Sequence, residues 1–249
     1  MSKLTAEKID HFRDEKISNE RFSISYIVKD AVYNIAHVER KRFFYTAYDL
    51  FVNPGKSINR VLDGFRNYLF NAGEYLFVSG AIVLFLTPRY KFFENEFSEQ
   101  ISDITFITLD PTFLKSFFEY AEEYATITNI LAIPIFSFLT YLFFRDSKFT
   151  FGENLIINTY ITAQQLILLV LCAPFIEFLP SQRHTIITIY SEIVFIYNIG
   201  VCVLVFRGVW WWVLVRAVAS VSIGYAAQFP INLSFYYLFE PFLKYLPDF

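Results

Sequence analysis

Six residues stand where their neighbours are apolar and have the side chains to do chemistry: Asn71, Glu74, Asn158, Gln165, Glu192 and Arg216. An ionisable group at membrane depth costs a few kcal/mol or more, so each needs a partner or a water-filled pocket. Glu74 and Arg216 lie at comparable depths in two different apolar runs, which predicts that they pair or share a pocket. As a site, such a pair handles a cation or proton, or an anion at Arg216; as structure, it locks two helices together. Asn67, Asn71 and Glu74 follow helical spacing on one face, and Asn154, Asn158, Thr162 and Gln165 do so on another. Faces of this kind turn toward other helices or water and away from lipid. Glu192, in the fourth apolar run, is a candidate titrating carboxylate, with His184 and Gln228 as possible neighbours, whereas Glu177 reads as interfacial. Arg216, Ser220, Gly224 and Gln228 recur at steps of four, a small-and-polar stripe that admits a second helix closely; Gly73 and Gly80, with Ala72, Ser79 and Ala81, form another.

Catalytic signatures are missing. The chain has no nucleophile elbow, P-loop, HExxH or glycine-rich dinucleotide turn, and His11, His37 and His184 are far apart, so the expectation is a non-enzyme. Its two cysteines, Cys172 and Cys202, sit in apolar runs without a paired CxxC, so neither a disulfide, a metal site nor a cofactor is expected.

The elements that must position these residues are membrane spans. Of 249 residues 55% are hydrophobic and 20% aromatic, a composition that belongs to integral membrane proteins. A span needs roughly 20 apolar residues. Five runs qualify, at about Tyr68 to Thr87, Thr126 to Phe144, Asn154 to Phe178, Ile186 to Phe206 and Val209 to Leu238, the last with Pro230 as an expected kink. The net charge of −3 hides an uneven distribution: 12 of the 21 Lys and Arg residues precede the first run. The loop at 88–124 is acidic, with Glu94, Glu96, Glu99, Asp103, Asp110, Glu119, Glu122 and Glu123. Cationic segments stay in the cytoplasm, so the expected fold is an all-α polytopic membrane protein of about five spans, N-inside and C-outside, with no cleaved signal peptide.

Three segments follow. Residues 1–22 read as a flexible charged head, 23–66 as cytoplasmic or interfacial amphipathic helices, and 67–249 as the membrane domain. Arg40, Lys41 and Arg42, followed by Phe43, Phe44, Tyr45, Tyr48 and Phe51, place cations on anionic headgroups and rings in the headgroup zone. Trp210, Trp211 and Trp212 beside Arg207 read as a second interfacial anchor. Asp110-Pro111 predicts a helix start within the external loop, and Thr150-Phe-Gly-Glu153 predicts a capping box at the head of the third span.

The pattern Pro54-Gly55-x2-Ile58-x5-Gly64-x-Arg66-x-Tyr68, joined to the first span, resembles an uncharacterised family of bacterial inner-membrane proteins known only as a domain of unknown function. A second point of likeness is Phe144-Arg145-x2-Lys148 with Phe151 and Glu153, so that the resemblance covers about residues 22–170. It implies a multi-pass protein of the bacterial inner membrane and no particular activity. Relatives often carry a zinc ribbon ahead of this region, and this chain has no cysteine there; where they tend to have histidine after the glutamate, it has Asn154.

Two functions fit these readings. One is a non-enzymatic component of a homo-oligomeric or multi-subunit membrane assembly, in contact with lipid and with itself or other membrane subunits, and not with nucleic acid. The other is a transporter or channel for a small solute, ion or lipid that uses a cytoplasm-facing polar pocket around Glu74, Asn158 and Arg216.

Overall fold

A computed structural model of the chain describes residues 40–65, 68–90, 117, 120 and 124–243. The charged head at 1–22, the segment 23–39, Arg66, the start signal at Asp110-Pro111 and nearly all of the acidic loop lie outside the described residues. Among the described residues every regular element is helical: α1 (Arg40–Val52), α2 (Pro54–Leu62), α3 (Ala72–Tyr90), α4 (Ala125–Phe143), α5 (Phe151–Phe178), α6 (Arg183–Val205) and α7 (Trp210–Leu243). Short 3-10 turns at Arg145–Ser147 and Pro180–Gln182 precede α5 and α6.

Four stretches are long and apolar enough to cross a membrane: Thr126–Phe143, Phe151–Phe178, Pro180–Val205 and Trp210–Leu238. The described residues are therefore those of an all-helical protein with the helices of a membrane protein. Within its span α5 is 61% buried, against 22–33% for the other three, which makes it the central helix. It packs against α3, α4 and α6, while α7 lies against α4 and α6. The start of α5 is fixed as expected, by a complete capping box in which Glu153 N donates to Thr150 Oγ1 (3.2 Å) and Thr150 N donates to Glu153 Oε2 (2.6 Å). At the same end of the bundle Phe144 stacks on Phe206 with ring centres 3.9 Å apart, joining the α4–α5 turn to the α6–α7 turn. Helix α7 continues through Pro230.

The first expected span differs from the sequence reading. Tyr68 to Asn71 are not helical, and the apolar part of α3, Ala72–Thr87, is shorter than the other four stretches. The reason lies in side-chain bonds that replace helical ones: Phe70 N donates to Thr46 Oγ1 (2.7 Å), and Phe70 O accepts from Tyr160 OH (2.8 Å). Asn71 then caps the new start, its Oδ1 accepting from Gly73 N at 2.9 Å. Such irregular backbone is tolerated where protein side chains satisfy it.

Helix α1 is amphipathic in the expected sense, with Phe43, Thr46, Asp49 and Leu50 turned inward and Phe44, Tyr48 and Phe51 exposed. Its carbonyls are held by the bundle, as Gln164 Nε2 donates to Ala47 O (3.1 Å) and Tyr197 OH donates to Leu50 O (3.1 Å). Helix α2 lies on the end of α6. A Cβ at Gly55 would stand 2.5–2.8 Å from Leu204 Cβ, C and O, so only glycine lets the two backbones meet. Gly64 serves a different need, with φ at +105° in the turn after α2. Pro54 occupies the first turn of α2, where a missing N–H is harmless, and Ile58 is fully buried. The recognisable motif is thus a clamp that seats α2 on α6.

Candidate functional site

The polar residues that come together lie between α4, α5, α6 and α7, and they line a partly open cavity of about 170 Å³. Each helix contributes one face at helical spacing: Asn129, Phe136 and Thr140 from α4; Asn158, Thr162 and Gln165 from α5. Tyr190, Val194 and Asn198 come from α6, and Ser220, Tyr225 and Gln228 from α7. Asn129 and Thr140 are 11 residues apart, so polar groups are distributed over about 16 Å of the bundle's height at ~1.5 Å per residue.

Hydrogen bonds link these groups across helices. Gln165 Nε2 donates to Asn198 Oδ1 (2.7 Å), and Asn198 Nδ2 donates to the Tyr225 hydroxyl (3.0 Å), a chain across α5, α6 and α7. Gln228 Nε2 donates to Asn129 Oδ1 (2.6 Å), tying α7 to α4. Asn158 donates both amide hydrogens, to Thr140 Oγ1 and to Asn154 O, each at 2.9 Å. Tyr190 OH donates to Gln165 O at 3.1 Å, beside the amide chain. The glycine of the small-residue stripe on α7 has a packing role, because a Cβ at Gly224 would enter the Phe136 ring.

Two residues of the expected site, Asn158 and Gln165, line this cavity; Glu74, Asn71, Glu192 and Arg216 do not. Arg216 pairs with Asp146 and not with Glu74. Its Nη1 lies 2.7 Å from Asp146 Oδ2, with the two side chains 37% and 76% exposed. The expected pair fails because α3 packs on α5, while Arg216 sits one turn beyond the cavity end of α7, beside the α4–α5 turn. Glu74 is buried in the first turn of α3, where a carboxylate is favoured by the helix dipole. Glu192 is exposed, because the buried stripe of α6 runs through Val194, Asn198, Val201, Cys202 and Val205. Glu177 and His184 are exposed as well.

Of the anchors, Trp210, Trp211 and Trp212 are exposed at the start of α7, and Lys41 is exposed on α1 next to a half-buried Arg42. The Arg40 side chain lies outside the described residues. Asn129, Asn198 and Tyr225 also line the cavity and were not singled out by sequence reasoning, while Gln228, expected on a stripe with Arg216 and Ser220, lines it together with Ser220. Asn198 carried the signal that was available, being an amide at i+4 from Val194 and i−4 from Cys202 within an apolar run.

A second polar cluster holds the head together. Tyr68 OH donates to Asp49 Oδ2 (2.9 Å), Ser57 Oγ donates to the same oxygen, and Tyr45 OH donates to the Tyr68 hydroxyl (3.0 Å). Arg60 lies over the Tyr68 ring at 4.8 Å, a cation–π contact. Burial first, then the bonds to Tyr45 and Asp49, push the Tyr68 phenol up to about 12. All of these contacts tie α1 and α2 to the entry of α3, which makes the cluster structural.

Cys172 and Cys202 are both free thiols. Among the described residues no group of three His, Cys, Asp or Glu is arranged to hold a metal ion. Comparison of the chain with known protein families, with curated proteins and with solved structures finds no match.

Proposed function

We propose that this is a non-enzymatic integral membrane protein of the bacterial inner membrane that takes a small polar solute into the cavity between α4 and α7, as a transporter or channel. One observation carries the reading: amide and hydroxyl groups from four separate helices, with all five amides bonded to a neighbour on another helix, converge on a cavity inside helices that are apolar outside. A bundle that needed only to pack would fill this space with aliphatic side chains, since polar groups between membrane helices add little stability, on average about 0.6 kcal/mol per hydrogen bond. The charge pattern supports an orientation with the α4–α5 and α6–α7 turns in the cytoplasm. Arg145, Lys148 and Arg207 lie in those turns, and Lys56 and Arg60 lie on the α2 clamp beside them. In this reading α3 is a fifth crossing. Its 16-residue apolar stretch reaches about 24 Å of a ~30 Å core, and Leu69 to Asn71 continue the path against Tyr160.

The test is solute flux in liposomes reconstituted with the full chain, over a panel of urea, glycerol, sodium chloride and sodium acetate. Flux of at least one above protein-free liposomes is the expected result; none above background defeats the proposal.

An assembly of several copies or subunits is the second reading, and exposed Glu192 favours it. The residue is the tenth of 23 in α6, about 14 Å along a span, where a lipid-facing carboxylate is costly. Native mass measurement in mild detergent decides it: a strict monomer with no co-purifying subunit refutes the assembly.

A further inference from the structure

The lining of the cavity says which solutes it accepts, an inference that rests on the function proposed above. We infer that the ligand is small, uncharged and able both to donate and to accept hydrogen bonds, of the class of urea, small amides and polyols.

No Asp, Glu, Lys, Arg or His is among the lining residues. The acidic and basic side chains singled out in the spans are placed elsewhere: Arg216 is paired outside with Asp146, Glu192 is turned outward, and Glu74 belongs to the start of α3. An ion entering the cavity would exchange its hydration for a site with no opposite charge, and that desolvation amounts to several kcal/mol per ion. An apolar solute is disfavoured for the opposite reason. It would strip water from amides and leave them unsatisfied, at about 1–3 kcal/mol each.

A neutral polar solute meets neither obstacle, and the hydrogen-bonding capacity left over is of the kind it needs. Gln165 and Gln228 each spend the amide nitrogen on a neighbour and keep Oε1, and Asn158 keeps Oδ1 after donating both hydrogens. Asn129 accepts through Oδ1 and keeps its Nδ2 donor, while the Thr162 hydroxyl has no bond to protein among the described residues. Spare donors and acceptors are therefore both found on residues that line one space. A bare cation can use only the oxygens, and an anion only the N–H and O–H groups. Urea or glycerol uses both. A cavity of about 170 Å³ holds on the order of ten waters, so a solute of that size enters with part of its water.

The experiment is stopped-flow light scattering of the proteoliposomes under matched gradients of urea, glycerol, sodium chloride and sodium acetate. Urea or glycerol should equilibrate at least fivefold faster than in protein-free liposomes, with both salts at background. Gln165→Leu and Asn198→Leu should each remove most of that difference, and Glu192→Gln should keep it. Thr162→Val replaces one hydroxyl by a methyl of equal size, and should slow the neutral solutes several-fold even where the larger substitutions fail to fold. Salt flux with no urea or glycerol flux overturns the neutral class and leaves the transport reading standing. No flux of any probe defeats both, and neutral flux that survives Thr162→Val and Asn198→Leu overturns the assignment to this cavity.

Discussion

Gly55→Ala adds one methyl group at the point where α2 touches α6. The three nearest atoms, 2.5–2.8 Å from the new Cβ, are Leu204 Cβ, O and C, which belong to the backbone of α6 or are fixed to it. No rotamer change can move them away. Ordinary carbon contacts begin near ~3.5 Å, so α2 has to lift from α6 by on the order of 1 Å. That opens the packing of Ile58 and Val61 on Val205 and lengthens the Asn59 Nδ2 to Val205 O bond, which is already 3.4 Å. Overpacking of a core costs about 1–3 kcal/mol, and a rigid backbone target puts this case at the upper end. For a chain of this size the expected fall in Tm is about 6–12 °C. The assay is thermal unfolding in detergent, followed by helical circular dichroism, with Gly200→Ala as control. An added Cβ at Gly200 meets nothing within 4 Å, so alanine there should leave Tm unchanged or raise it slightly. Leu204→Ala on top of Gly55→Ala should give no rescue, because the contacted atoms remain. If Gly55→Ala melts with the Gly200→Ala control, or if Leu204→Ala restores it, the close approach of α2 to α6 is wrong.

Three further predictions concern the ends of the bundle. Because Arg216 and Asp146 form an exposed pair, Arg216→Gln and Asp146→Asn should each change stability by less than about 1 kcal/mol; the Arg216→Gln and Glu74→Gln effects should add in the double variant, and coupling between them would refute separate partners. Thr150→Ala removes the cap of α5 and should lower stability by about 1 kcal/mol, whereas Thr150→Ser should restore most of it; equal melting of the two variants would remove the capping box from the account. The raised Tyr68 pKa means that the folded state holds this proton more tightly than the unfolded chain, whose phenol titrates near ~10. The associated stability is complete below about pH 10 and is lost as pH rises toward about 12, so alkaline titration of unfolding should be steeper in the wild type than in Tyr68→Phe, and identical slopes would refute it.

How much of this was legible in the sequence depended on whether a residue's role is local. The capping box was readable because Thr150 and Glu153 are three residues apart and their bonds are made within that turn. The four long spans were readable from composition and length, and the α5 face with Asn158, Thr162 and Gln165 from its spacing. The short α3 was not, since its start is set by Thr46 and Tyr160, which lie 24 and 90 residues from Phe70. The Glu74–Arg216 pair failed for a related reason. Depth along a span is readable from sequence, whereas which helices are neighbours is not, and a salt bridge needs both. Asp146 was overlooked because a carboxylate in a short turn has an ordinary explanation in solvent.

The same contrast explains why the charged residues drew attention and the amides hold the cavity. A charge in an apolar run is conspicuous because burying it is costly, and the fold keeps both charges out of the cavity: Arg216 pairs with Asp146 at the end of the bundle, and Glu192 stands on the outer face of α6. An amide is cheaper to bury once bonded, and it bonds to another amide without a charge to neutralise. Four helices can therefore each bring one or two amides to a shared space, as Asn129, Asn158, Gln165, Asn198 and Gln228 do here, and keep bonding capacity in reserve. In this chain, regularly spaced Asn and Gln on several apolar helices point to the cavity better than the isolated Glu or Arg does. Under the function proposed above, a pocket built from them would discriminate by hydrogen-bonding pattern.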